Sequence, residues 1–249
     1  MRAALLVLIA LGGWEALARL GSIDLLILPA PDQVASALYD DRSLLWHNLA
    51  VTGGEVLLGI AVALVLGVLC AFAMHLSPTL RGALYPLLVG SQAIPIVVIA
   101  PLLVLLLGFD IRPKLVIIAL VCFFPIAVTT LDGLAGVDRE LLKLMRTLDA
   151  SRAQTLRRVE APAALPGLFS GAKVAVAVAV IGAVLAEQAG SSDGLGHLLL
   201  QAIPQLDTAR AYAAVVLLAA LGIALFAGLT LAERHTLPWA DRVRGDQRT

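Results

Sequence analysis

Residues 51–76 read VTGGEVLLGIAVALVLGVLCAFAMHL, a run whose only charge-bearing side chains are Glu55 near one end and His75 near the other. A helix needs roughly 20 mainly apolar residues to cross the hydrocarbon core of a bilayer, because in lipid every backbone polar group must find its partner within its own segment. This stretch meets that requirement. Working outward, residues 3–20, 84–108, 115–134, 165–190 and 212–231 meet it too. The chain is therefore expected to be an all-α membrane protein with six transmembrane helices. Pro95, Pro101 and Pro125 interrupt the third and fourth spans, where they are expected to mark kinks rather than breaks. The first span is read as retained rather than as a signal peptide, since Trp14 and Glu15 suit a cleavage region poorly.

Composition agrees with the spans. Of 249 residues, 60% are hydrophobic and 14% charged, and the mean hydropathy is +0.94. A soluble domain is about half apolar and about a quarter charged, so this chain has too little polar surface to wrap a water-soluble globule. Eighteen Lys and Arg balance eighteen Asp and Glu, which excludes the strongly basic face that a nucleic-acid partner requires. Cys70 and Cys122 both lie in apolar runs, without a CxxC or Cys/His cluster, so neither a disulfide framework nor a zinc site is expected. His47, His75, His197 and His235 are scattered, and no catalytic constellation emerges.

The placement of positive charge gives a direction, because Lys and Arg accumulate on the cytoplasmic side. With the N-terminus inside, the inner set is Arg2, Arg81, Arg139, Lys143, Arg146, Arg152, Arg157, Arg158, Arg234, Arg242, Arg244 and Arg248. The outer set is Arg19, Arg42, Arg112, Lys114 and Arg210, and Lys173 lies within the fifth span. Both termini are expected in the cytoplasm. Residues 22–48 carry Asp24, Asp32, Asp40 and Asp41 and read as an outer connector with a short surface helix. The organisation expected is a first span with connector over 1–50, then a five-helix core over 51–249 with a cytoplasmic loop at 135–164. Neither 21–50 nor 135–164 is long enough to bury a core of its own.

That inner loop carries the sharpest local signal. Residues 138–166 read DRELLKLMRTLDASRAQTLRRVEAPAALP, two helical pieces separated by a turn. In the first, Leu141, Leu144 or Met145, and Leu148 recur at helical spacing, with Arg139, Glu140, Lys143 and Arg146 on the other face. In the second, Ser151 caps the helix and Gln154 reaches back to the cap. Leu156 and Val159 form its apolar stripe, Arg152, Arg157 and Arg158 its basic rim, and Pro162 is expected to end it before the next span. Composition alone favours a basic loop resting on lipid head groups, and it is the spacing of the residues that points elsewhere.

The segment resembles the EAA loop of permease subunits in binding-protein-dependent ABC importers, whose pattern is EAA, three residues, Gly, nine residues, Ile-x-Leu-Pro. Aligned on Pro162, the isoleucine falls on Val159, the leucine on Ala161, the glycine on Asp149 and the triplet on Lys143-Leu144-Met145. The nitrate/sulfonate/taurine branch has a loop similar to RTLDASRAQTLRRVEAPAALPGL, with Gly at the place of Asp149. The same branch is matched by Leu28-Pro29-Ala30-Pro31, by Ile94-Pro95 with Ala100-Pro101-Leu102, and by Ala186-Glu187 with Gly194-Leu195-Gly196. Residues 120–133 look most like permeases assigned to thiamine pyrimidine precursors.

The resemblance implies a type I importer permease (MetI-like) core. It makes Asp149, Ala150, Ser151, Arg152, Gln154, Leu156, Arg157, Arg158, Val159 and Pro162 the surface that docks on a separate ATP-binding subunit, with Leu156 and Val159 as anchors in its groove. Aspartate tolerates turn conformations better than most residues, so Asp149 is expected to preserve the turn. The resemblance further implies two copies of the ATPase, holding ATP-Mg that this chain does not bind, a periplasmic or lipid-anchored solute-binding protein, and a second permease copy. The solute would be a thiamine pyrimidine precursor, or else nitrate, taurine or an alkanesulfonate. The rival from another class is an ion-gradient-driven secondary transporter or channel, which needs paired acidic groups at mid-depth or discontinuous helices in repeated halves.

Ionisable groups within spans are functional candidates. Glu15, Glu55, His75, Lys173 and Glu187 qualify, and Glu55, His75 and Lys173 are each near enough to a span end to snorkel. Glu187 has two readings, a pair with a neighbouring helix or a place in the outer gate. Gln92, just before Pro95, either lines a solute path with a carbonyl freed by the proline or belongs to a small-residue packing face. Ala175, Ala177, Ala179, Gly182 and Ala183 read as a close-packing face toward a second copy or the adjacent helix.

Overall fold

The computed structural model describes residues 2–20 and 27–239. Asp24 of the connector and Arg242, Arg244 and Arg248 of the inner set lie outside the described residues. Eleven α-helices and one π-helical turn follow in order: α1 (Arg2–Leu20), α2 (Pro31–Asp40), α3 (Arg42–Leu76), α4 (Pro78–Ser91), α5 (Ile96–Leu107), α6 (Ile111–Ala135), α7 (Arg139–Thr147), α8 (Arg152–Thr155), the π turn Leu156–Glu160, α9 (Ala161–Gly190), α10 (Leu195–Ala202) and α11 (Thr208–Thr236). No strand occurs among the described residues.

Several helix starts carry an N-cap side chain that accepts from the unpaired amides there. Asp110 accepts from the Arg112 amide at 2.8 Å, Asp138 from the Glu140 amide at 2.8 Å and Ser77 from the Leu80 amide at 3.3 Å. Pro31 and Pro78 open α2 and α4, where the missing N–H costs nothing.

Helices α3, α6 and α9 form the core. Each is apolar over a membrane-spanning length, and small residues let the backbones approach. A Cβ on Gly67 would lie 2.8 Å from Ile126, and one on Gly182 would lie 2.9 Å from Val121. Ala175, Ala179, Gly182 and Ala183 are buried against this core, and the Cys122 thiol donates to the Ala175 carbonyl at 3.4 Å. The packing face on α9 is thus turned to the adjacent helix, and Ala177 is exposed outside it. Helix α11 packs on α9, and α2 packs on α11 and α3. Val34 of α2 is buried in a cluster with Leu45, Leu195, Leu198 and Leu218, so the connector helix is docked on protein rather than lying free at the surface. Trp14 of α1 donates to the Pro29 carbonyl at 3.0 Å and tilts against Tyr212 with ring centroids 5.9 Å apart.

Among the described residues four helical stretches are long and apolar enough to span a bilayer, Arg42–Leu76, Ile111–Ala135, Arg152–Gly190 and Thr208–Thr236, and the pair α4 and α5 makes a fifth if counted as one broken span. That is four or five, against six expected. Helix α1 is present where the first span is expected but is not among the four.

Two proline expectations are corrected. At Pro95 the third span breaks: α4 and α5 meet at 100°. Proline has no N–H to continue the ladder and pushes the residue before it toward extended backbone. The four residues 92–95 therefore form a turn, closed by bonds from the Gln92 and Ala93 amides to the Val89 and Gly90 carbonyls. Pro101 and Pro125 lie inside continuous helices. Conversely, Pro162 does not end the helix that begins at Arg152. The helix runs through to Gly190, because the turn before the proline widens so that the Ala161 amide reaches back five residues to Leu156. A π turn shifts the carbonyls that a proline ring would otherwise strike.

Candidate functional site

At the end of the bundle where α6 leaves and α9 begins, α7 stands out from the protein. None of its residues is buried, and its apolar stripe has no cover: Leu141, Leu144 and Leu148 are 42%, 53% and 67% exposed. An amphipathic helix with its leucines uncovered is a candidate docking surface.

The turn after α7 closes on a left-handed residue. Asp149 has φ 51°, its amide donates to the Arg146 carbonyl at 3.0 Å, and the Ala150 amide donates to the Met145 carbonyl at 3.0 Å. These two bonds are those of the Schellman ending, which places its left-handed residue where glycine is usual. Asp149 keeps that conformation. Ser151 then caps α8, accepting from the Gln154 amide at 3.3 Å while the Gln154 side chain accepts from the Ser151 amide at 2.8 Å. The expected capping box is present.

Asp149, Ser151, Arg152, Gln154, Arg157 and Arg158 are all exposed at this end, and Ala153, Gln154, Arg157 and Arg158 line a shallow depression. Ala150, Val159 and Pro162 are half-buried. Leu156, expected as an anchor, is half-buried and packs against the internal cluster that holds Ala71, Met74, Leu134 and Ala164. The exposed leucines at this end are Leu141, Leu144 and Leu148, earlier in the chain.

Gln92 and Pro95 come together in the break between α4 and α5. Both are exposed and face a cleft shared with Ile96, Ile99, Leu120 and Val121. Irregular backbone at membrane depth is tolerated where it lines a cavity or is buried in protein.

Glu187 lies apart from both groups, at the opposite end and wholly buried. Its carboxylate accepts from the Thr52 hydroxyl at 2.6 Å and the Gly196 amide at 2.5 Å. Thr52 in turn accepts from the Leu195 amide at 2.9 Å, and Asn48 accepts from the Gly194 amide at 2.6 Å. Three side chains from α3 and α9 thereby satisfy the first amides of α10. Gly194 has φ 110°, and a Cβ there would fall inside the Glu187 carboxylate. Beside this cap, Lys114 donates to Glu55 at 2.6 Å and to the Ser191 hydroxyl at 2.6 Å. The Ser191 hydroxyl donates to the Asp193 carbonyl at 2.6 Å.

None of the three groups expected to snorkel does so. Glu55 is buried with Lys114, Lys173 pairs with Glu233 of α11, and His75 meets Glu160 at 3.1 Å. Lys114, counted from the sequence as an outer-loop cation, is an interior residue. Glu160, which is 1% exposed, had no sequence signal beyond its place between two arginines and a proline.

A family model described as the binding-protein-dependent transport system inner membrane component matches residues 63–237. The chain is similar to a probable ABC transporter permease protein of Haemophilus influenzae, 38% identical over 213 residues covering 86% of this chain and 87% of that one. It is 37% identical over 227 residues to the formylaminopyrimidine transport permease protein ThiX of Halalkalibacterium halodurans, covering 91% and 90%. To the taurine transport system permease protein TauC of Escherichia coli it is 31% identical over 239 residues, covering 93% and 86%.

Proposed function

Because the chain belongs to the family of binding-protein-dependent transport system inner membrane components, and is an ABC transporter permease of the ThiX, SsuC and TauC type, we propose that it forms the solute path of an importer whose work is done by a separate ATPase. The observation that carries this reading is the uncovered leucine stripe of α7, fixed in place by the Asp149 turn and the Ser151 cap. Leu141, Leu144 and Leu148 seat in an apolar groove of the ATP-binding subunit, and Arg152, Arg157 and Arg158 pair with carboxylates at its rim. Two such subunits, binding ATP-Mg, drive two copies of the permease, and a periplasmic or lipid-anchored binding protein delivers solute from the other side. The loop end is cytoplasmic, as the excess of positive charge there supports, and both termini lie on that side. Within the membrane the path runs past the break at Gln92 and Pro95. Glu187 serves it indirectly by holding α10 in place.

For the solute we propose a pyrimidine precursor of thiamine, on the resemblance of residues 120–133 and the likeness to the formylaminopyrimidine permease. Taurine, alkanesulfonates and nitrate are the competing choices. Thermal shifts of the purified cognate binding protein with a formylaminopyrimidine, taurine, an alkanesulfonate and nitrate separate them.

The test of the whole reading is reconstitution. Proteoliposomes holding the permease, its ATPase and its binding protein should take up solute only with ATP present. Uptake on an ion gradient without nucleotide overturns the reading in favour of a secondary transporter. A discontinuous helix pair occurs once among the described residues, without the repeated half that such a transporter needs. In cells, a cysteine replacing Arg152 should react only from the cytoplasm, and reaction from outside reverses the topology.

A further inference from the structure

The carboxylate of Glu160 sits where three parts of the chain converge. It belongs to the π turn between α8 and α9, it is 1% exposed, and one of its oxygens receives the Arg152 guanidinium at 3.1 Å. The other lies 3.1 Å from the His75 Nε2 at the last turn of α3, close enough for an ion pair although off the hydrogen-bond axis. A charge this deeply placed is kept only when its partners hold it. Two residues beyond His75, Ser77 caps α4, the helix that ends in the break at Gln92 and Pro95.

We infer that Glu160 is a positioning residue for transport, fastening the corner between α3 and α4 to the base of the docking loop. This inference rests on the importer reading. The loop is joined to α9 by continuous helix, but to α3 it is joined through this carboxylate and the Leu156 packing beneath it. With one carboxylate oxygen bonded to Arg152 and the other in contact with His75, displacement of α8 is imposed on α9 and on the α3–α4 corner together, so the broken span that lines the cleft follows the loop. Without it, α9 moves and the corner lags.

Two measurements test this. In lipid nanodiscs, spin labels on cysteines replacing Thr79 and Ala153 of the full chain, with Cys70 and Cys122 changed to alanine, should give one narrow distance distribution. Glu160→Gln and His75→Gln should each broaden it, whereas Glu160→Asp should broaden it less. An unchanged distribution in both Gln variants overturns the inference, and needs no partner to do so. In the reconstituted transporter, either variant should lower solute moved per ATP hydrolysed by about ten-fold, the size of an ordinary coupling between sites, with ATPase copurification retained. A wild-type ratio in both variants, or uptake and hydrolysis falling in proportion, overturns the positioning role. If Glu160→Gln fails to accumulate, His75→Gln, which leaves the carboxylate in place, decides by the same criteria. Absence of ATP-driven uptake in the wild type counts against the importer reading, while the nanodisc distances still judge the fastening.

Discussion

The two ends of the helical bundle solve opposite problems. Around α10 the polar groups are inside and matched to one another: Asn48, Thr52 and Glu187 take the first amides of the helix, and Lys114 joins Glu55 to the Ser191 loop. Around α7 the polar groups are outside in water, and leucines lack a counterpart. The first end is complete in a single chain. The second leaves apolar side chains without cover, and that contrast is why the α7 end is the one proposed to meet the ATPase.

Substitutions break or sharpen that contrast. The largest effect is expected from Lys114→Met, which strands Glu55 beside Glu187 without a cation and should cost about 3–5 kcal/mol, read as a fall in the unfolding midpoint of the detergent-solubilised chain. Gly194→Ala adds backbone strain to a collision with the Glu187 carboxylate, and a loss of about 2–3 kcal/mol is expected in the same assay. At the other end, Leu144→Asp with Leu148→Asp should leave the midpoint of the isolated chain unchanged but weaken ATPase-subunit binding by about 2 kcal/mol or more, measured by titration in nanodiscs. If the pair instead destabilises the isolated chain, α7 is part of the fold and the contrast fails. Asp149→Gly should raise stability by about 1 kcal/mol, since glycine enters the left-handed region without the cost other residues bear.

The smallest effect belongs to His47→Gln. Asp193 is held below the ordinary carboxylate range chiefly by the Ser192 hydroxyl, with His47 secondary. A carboxyl lowered on folding stabilises above its unfolded value and loses that contribution as pH falls through the folded one. The pair is exposed on both sides, so the pH profile of the midpoint should shift little in this variant.

What the sequence made legible was local. The Ser151 and Gln154 cap depends on residues three apart, and the Asp149 turn on a position between two amphipathic pieces, so both could be read in one dimension. The buried polar network could not be, because Lys114 is 59 residues from Glu55 and Thr52 is 135 from Glu187. Proline was ambiguous for a related reason. Pro86, Pro101, Pro125 and Pro166 all sit inside continuous helices, so the residue type alone did not single out Pro95 as the place of the break. Helix α10 escaped notice because eight residues are too few to show a period, and it stands on a foundation supplied by α3 and α9. Leu156 was assigned to the partner because a helical wheel shows which side is apolar but not what is already there to receive it.

The widened turn ahead of Pro162 makes the segment Arg152–Gly190 a single member of 39 residues, about 58 Å long at 1.5 Å rise per residue. The hydrocarbon slab is only about 30 Å thick, so roughly half the rod projects beyond it. Pivoting such a member by about 5° at its middle would carry each tip some 2–3 Å in opposite directions. In the proposed importer, a push on the arginine-bearing tip would be delivered, reversed, to the floor beneath α10.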